Sequence, residues 1–94
     1  MSHCPVTLLG DVADVIAEVR GWTSVVEKKP AVFYVRREPF LHFHLLAGDR
    51  RCADIKGRDG WLRVDLPHPL PLTTRRRLLR ELRARHADWL KLGR

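Results

Sequence analysis

Phe40-Leu41-His42-Phe43-His44-Leu45-Leu46, then Arg51-Cys52-Ala53-Asp54-Ile55-Lys56, then Trp61-Leu62-Arg63-Val64-Asp65-Leu66 is the stretch that decides the fold. In the first segment Phe40, His42, His44 and Leu46 alternate with Leu41, Phe43 and Leu45, and in the last Leu62, Val64 and Leu66 alternate with Trp61, Arg63 and Asp65. A period of two marks a strand with one buried face. Ala47-Gly48-Asp49 and Gly57-Arg58-Asp59-Gly60 separate the segments and carry turn chemistry. Short strands joined by short turns predict an antiparallel meander. Treating 47–49 as a three-residue loop sets Leu41 opposite Ile55, His42 opposite Asp54, Phe43 opposite Ala53 and His44 opposite Cys52. Across the next turn, Asp54 falls beside Arg63 and Cys52 beside Asp65. A slip of one residue would turn every apolar side chain to water, so the pattern specifies this register.

Outward from this hairpin the pattern extends both ways. Segment 31–36 is rich in β-branched and aromatic residues and reads as a strand ended by Arg37-Glu38-Pro39. Segment 24–28 is a further short strand, which makes five strands if counted and four if not. Before it, Leu8, Leu9, Val12, Ile16 and Val19 recur at helical spacing, predicting a helix over 8–20 capped by Thr7 or Asp11 and stopped by Gly21. After Pro67, Pro69 and Pro71, a helix capped by Thr73 or Thr74 runs to about Leu92, with Leu78, Leu82, His86 and Trp89 on its apolar face. His86 and Trp89 read as core residues. The expected class is α+β: a two-layer sandwich in which an antiparallel four- to five-stranded meander is flanked by N- and C-terminal helices on one face, in the order α-β-β-β-β-β-α. Ninety-four residues suit one small domain over 1–94.

If the apolar rows face the helices, the opposite sheet face carries His42, His44, Asp54 and Arg63, with Cys52 and Asp65, bordered by Tyr34 and Trp61. His-x-His on a strand puts two imidazoles on one side, a spacing that chelates a transition metal if Cys52, Asp54 or Asp65 completes the shell. The same residues serve as a contact face for a ligand or partner, or as an ordinary solvated surface of cross-strand ion pairs. Nucleophilic work by Cys52 would need a thiolate stabilised by His44, and the neighbouring Asp65 opposes that. No cofactor is implied.

The chain carries 18 Lys and Arg against 11 Asp and Glu, a net charge of +7. Most of the excess lies in the last helix, where Arg75, Arg76, Arg77, Arg80 and Arg83 are candidates for holding an anion near the helix N-terminus. A basic balance favours polyanionic partners: nucleic acid, an acidic protein or an anionic surface. Asn and Gln are absent, and with them the side chains best suited to reading adenine edges, so nucleic-acid binding through the helix would be sequence-indifferent. No apolar run is long enough to span a bilayer. Met1-Ser2-His3-Cys4-Pro5 has neither a basic nor an apolar leader region, so the cytoplasm and free thiols at Cys4 and Cys52 are expected.

The run Phe33-Tyr34-Val35-Arg36-Arg37-Glu38-Pro39-Phe40-Leu41-His42-Phe43-His44, with Ala53-Asp54-Ile55 and Gly60-Trp61, resembles a family of small bacterial proteins labelled luciferase-like. These carry a strand, an Arg-Arg-Glu turn, a strand with spaced histidines and a Gly-Trp before a C-terminal helix. The element order also resembles the MmcQ/YjbR-like and frataxin-like folds. Frataxins bind iron through an acidic first helix, and Asp11, Asp14 and Glu18 in a basic chain do not carry that activity over. None of these resemblances implies a catalytic residue. The expected function is a non-enzymatic binding or interaction module with a protein or anionic partner. The alternatives are a metal- or small-ligand-binding protein using the His-x-His strand, or a nucleic-acid accessory protein using the Arg-rich helix.

Overall fold

The structure is a computed structural model and describes residues 2–92. Its elements in chain order are β1 (Ser2–His3), α1 (Ala13–Arg20), β2 (Val25–Lys29), β3 (Val32–Val35), β4 (Glu38–Leu45), β5 (Arg51–Gly57), β6 (Gly60–Leu66) and α2 (Leu72–Leu92). Single 3₁₀ turns occupy Val6–Leu8, Gly10–Val12 and Ala47–Asp49. Strands β2 to β6 lie in chain order as an antiparallel meander, and β1 pairs with the second half of β4. The fold is α+β. The register of the central strands is the one read from the alternation: Leu41 opposite Ile55, His42 opposite Asp54, His44 opposite Cys52, Asp54 opposite Arg63 and Cys52 opposite Asp65.

One buried cluster unites the helices with one sheet face: Val15, Ile16 and Val19 of α1, Leu78 and Leu82 of α2, and Phe33, Leu41, Phe43, Ala53, Ile55 and Val64 of the sheet. Trp89 donates its indole N–H to the Lys56 carbonyl at 2.8 Å, and the His86 ring meets the Thr23 carbonyl at 2.8 Å and stacks on Trp22 at 4.9 Å. Both act as packing residues that find a polar partner at the core margin. Among the described residues the opposite sheet face has no helix on it, because both helices spend their apolar stripes on the first.

Four expectations are corrected. Phe40 belongs to the core, not to the outer row with His42 and His44. Phe33 pairs with Leu41 and Tyr34 with Pro39, which leaves Phe40 as the extra residue of a β-bulge, and its buried ring lies 6.2 Å from His86. The first helix spans only 13–20, preceded by two 3₁₀ turns, and neither Thr7 nor Asp11 caps it. The Asp11 carboxylate is taken instead by Arg51 at 2.7 and 2.9 Å. The last helix begins at Leu72, so Thr73 and Thr74 sit within its first turn, and the Arg75 N–H donates to the Pro71 carbonyl. Glu38 and Pro39 are already in β4, because the break is a two-residue turn in which Arg36 and Arg37 take φ of 52° and 72°. That conformation is normally filled by Asn-Gly, because a Cβ costs about 1–2 kcal/mol per residue there.

Arg51 is the buried charge that joins the ends of the sheet to the N-terminal segment. It donates to Asp11, to the Leu8 carbonyl at 2.8 Å, to Leu66 at 3.2 Å and to Pro67 at 3.0 Å. Its donors are matched by convergent acceptors, the condition under which a buried guanidinium is tolerated.

Candidate binding face of the sheet

Alternation along β4, β5 and β6 brings His42, His44, Asp54, Trp61 and Arg63 around one concavity of about 510 Å³ on the helix-free face. Both imidazoles point away from the helical layer, as the pattern requires. Asp54 is the centre of the polar group. Arg63 grips its two oxygens in a fork at 2.9 and 3.0 Å, and His44 Nε2 lies 3.3 Å from Oδ2. The fork holds the Arg63 guanidinium more firmly protonated than an isolated arginine. Asp54 is itself 8% exposed, and both its oxygens face these partners.

His42 differs from His44. Burial, then the neighbouring His44 and His3, lowers its pKa, against a smaller opposing pull from Asp54. A lowered value keeps the ring neutral at pH 7. Its Nε2 is buried and has no hydrogen-bond partner among the described residues. The ring is the middle of an aromatic row: Tyr34 lies 6.0 Å to one side and Trp61 5.6 Å to the other, centroid to centroid. Lys28 sits 5.5 Å from the centre of Tyr34, and Lys56 sits 5.9 Å from that of Trp61, within cation–π range. Trp61 is half exposed, an unusual place for the largest apolar side chain.

Cys52 lies in this face but beneath it. It is fully buried, and burial, with Asp54 beside it, pushes the thiol pKa up. It is therefore a thiol, not a thiolate nucleophile. Cys4 and Cys52 are both free. No group of three or more His, Cys, Asp or Glu side chains among the described residues is arranged to hold a metal ion. His42 and His44 stand 6.0 Å apart by ring centroid and turn their edges differently.

The sequence-predicted arginines of α2 are not one group. Arg75 is paired with Asp14 and donates to the Asp11 carbonyl, and Arg83 forks onto Glu18 at 3.1 and 3.2 Å. These two cations fasten α2 to α1. Arg76, Arg77 and Arg80 remain exposed. Lys56 and Lys28 join the sheet face without having been singled out from the sequence; Lys56 shares the parity of Asp54, which is the signal that finds it. His3 reaches the group through β1, where it pairs with His44, and two residues of strand give no periodic signal. No protein family, curated protein or solved structure matches this chain.

Proposed function

We propose that this protein is a non-enzymatic binding module whose partner seats on the helix-free sheet face. The observation that carries the reading is the concavity itself: a neutral imidazole, His42, with a buried and unpartnered Nε2, set between two aromatic rings and a fixed Asp54–Arg63 pair. An orphaned buried nitrogen costs about 1–3 kcal/mol, and native proteins keep such atoms for a reason. The half-exposed Trp61 ring stands beside the imidazole, 5.6 Å away centroid to centroid. The chemistry of the neighbours supports binding over catalysis. Asp54 has its oxygens occupied, Cys52 is sealed as a thiol, and His42 has no adjacent nucleophile to activate among the described residues of the concavity. Two buried free thiols fit a reducing compartment such as the cytoplasm.

The reading is tested by amide and imidazole NMR shifts during titration with nucleoside monophosphates, an oligoglutamate peptide and Zn²⁺. Shifts gathered on Tyr34, His42, His44, Asp54 and Arg63 with at least one of these support it. Shifts confined to Arg76, Arg77 and Arg80, or none with any of them, overturn it.

A further inference from the structure

The row Tyr34–His42–Trp61 crosses the sheet from β3 to β6 and is one of two features that identify an occupant. The other is the charge at the same end of the sheet. The β3–β4 turn places Arg36 and Arg37 there, and the β5–β6 turn places Arg58 there. A 3.6 Å ion pair between Lys56 and Glu38 shows that the two turns stand at the same level. Arg36, Arg37, Lys56 and Arg58 thus border the aromatic row, against Glu38 and Asp59. The turn that presents Arg36 and Arg37 does so in left-handed backbone, with both side chains exposed.

Aromatic rings on an uncovered antiparallel sheet, rimmed by cations, are complementary to one kind of polymer. A single-stranded nucleic acid offers flat unpaired bases to the rings and phosphates to the rim. A duplex hides its base faces. An acidic peptide satisfies the rim and leaves the rings unused. On the helix, Arg75 and Arg83 are neutralised by Asp14 and Glu18, and the exposed Arg76, Arg77 and Arg80 have no aromatic partner in the ring contacts of the described residues. We infer that the sheet face binds single-stranded nucleic acid, with bases stacked on Trp61 and Tyr34 and phosphates drawn to Arg37, Lys56 and Arg58. This rests on the binding-face reading above. Stacking on a ring face accepts any base, which makes the binding tolerant of sequence.

Fluorescence anisotropy with labelled dodecamers of oligo(dT) and oligo(U), and with a duplex of the same length, tests it. Both single strands are expected to bind, more tightly than the duplex, with log K falling on log salt at a slope of about −2 to −3 for three or four phosphates. Trp61→Ala weakens single-strand binding roughly 5- to 150-fold, the loss of one stacked base, while Trp61→Phe keeps most of it. Trp61 is half exposed, so the variant should keep its circular dichroism spectrum. Equal affinity for duplex and single strand, or affinity unchanged by Trp61→Ala and lost in an Arg76/Arg77/Arg80 triple alanine variant, overturns the inference and returns binding to the helix. Oligoglutamate shifting the sheet-face residues while oligonucleotides do not overturns this inference and leaves the binding-face reading standing. Silence of the face toward oligonucleotides, nucleoside monophosphates, oligoglutamate and Zn²⁺ alike overturns both.

Discussion

Arg51→Met removes the buried guanidinium that ties β5 to the N-terminal segment and to the chain after β6. The side chain is 5% exposed and makes five hydrogen bonds, two of them to Asp11. Truncating one partner of a buried ion pair costs about 3–5 kcal/mol, since the other charge is left in place. Asp11 is 27% exposed, so water takes over part of its solvation, and the lower end, about 3 kcal/mol, applies. That is a large share of the roughly 5–15 kcal/mol a domain of this size holds. Urea unfolding followed by far-UV circular dichroism at pH 7 reads it directly. The pH dependence adds a second reading. The Arg51 hydrogen bonds hold the Asp11 carboxyl below its ordinary value. A depressed carboxyl stabilises the fold above its unfolded-state pKa, and that stabilisation is lost as pH falls through the folded-state value. The gap between wild type and Arg51→Met is therefore widest at neutral pH and narrows in acid. Arg51→Lys, which keeps the charge without the fork, falls between them, and Arg51→Met combined with Asp11→Leu recovers part of the loss. A neutral-pH loss under about 1 kcal/mol, or a gap that does not narrow in acid, would show that the clamp contributes nothing of the kind.

Phe40→Ala empties a fully buried site and should destabilise by roughly 3–5 kcal/mol in the same urea assay, whereas an outward Phe40 would make the change nearly neutral. His42 should titrate by NMR with a midpoint below its ordinary 6.5, because burial disfavours the imidazolium. A histidine depressed in the folded state draws stability down as pH falls below its unfolded value, so His42→Phe should gain on wild type between pH 7 and pH 5; a midpoint above 6.5 contradicts this.

The candidate face was legible residue by residue. Once the loop at 47–49 and the turn at 57–60 are taken at face value, alternation alone places His42, His44, Asp54 and Arg63 together. The structure adds what differs among them: Asp54 is held by Arg63 and His44, His42 is neutral with a stranded nitrogen, and Trp61 stands beside its ring. Burial and ring stacking are properties of distances between strands, so a one-dimensional pattern does not contain them. The α2 arginines make the same point. Along the helix Arg75, Arg76, Arg77, Arg80 and Arg83 form one basic run, but Asp14 and Glu18 reach across from α1 to two of them.

The chain's own periodicity was enough for the number of layers, the strand register and the choice of which sheet face goes uncovered, because each follows from burying apolar side chains at a period of two or 3.6. It was not enough for Phe40, where one extra residue in β4 flips a side chain into the core at no change in composition. It was also not enough for α1: of its two expected caps, Thr7 and Asp11, neither caps it, and Asp11 is paired with Arg51, forty residues away in the chain. A bulge and a long-range ion pair are settled by which groups the assembled layers bring within hydrogen-bonding distance, and that information exists only once the chain has folded.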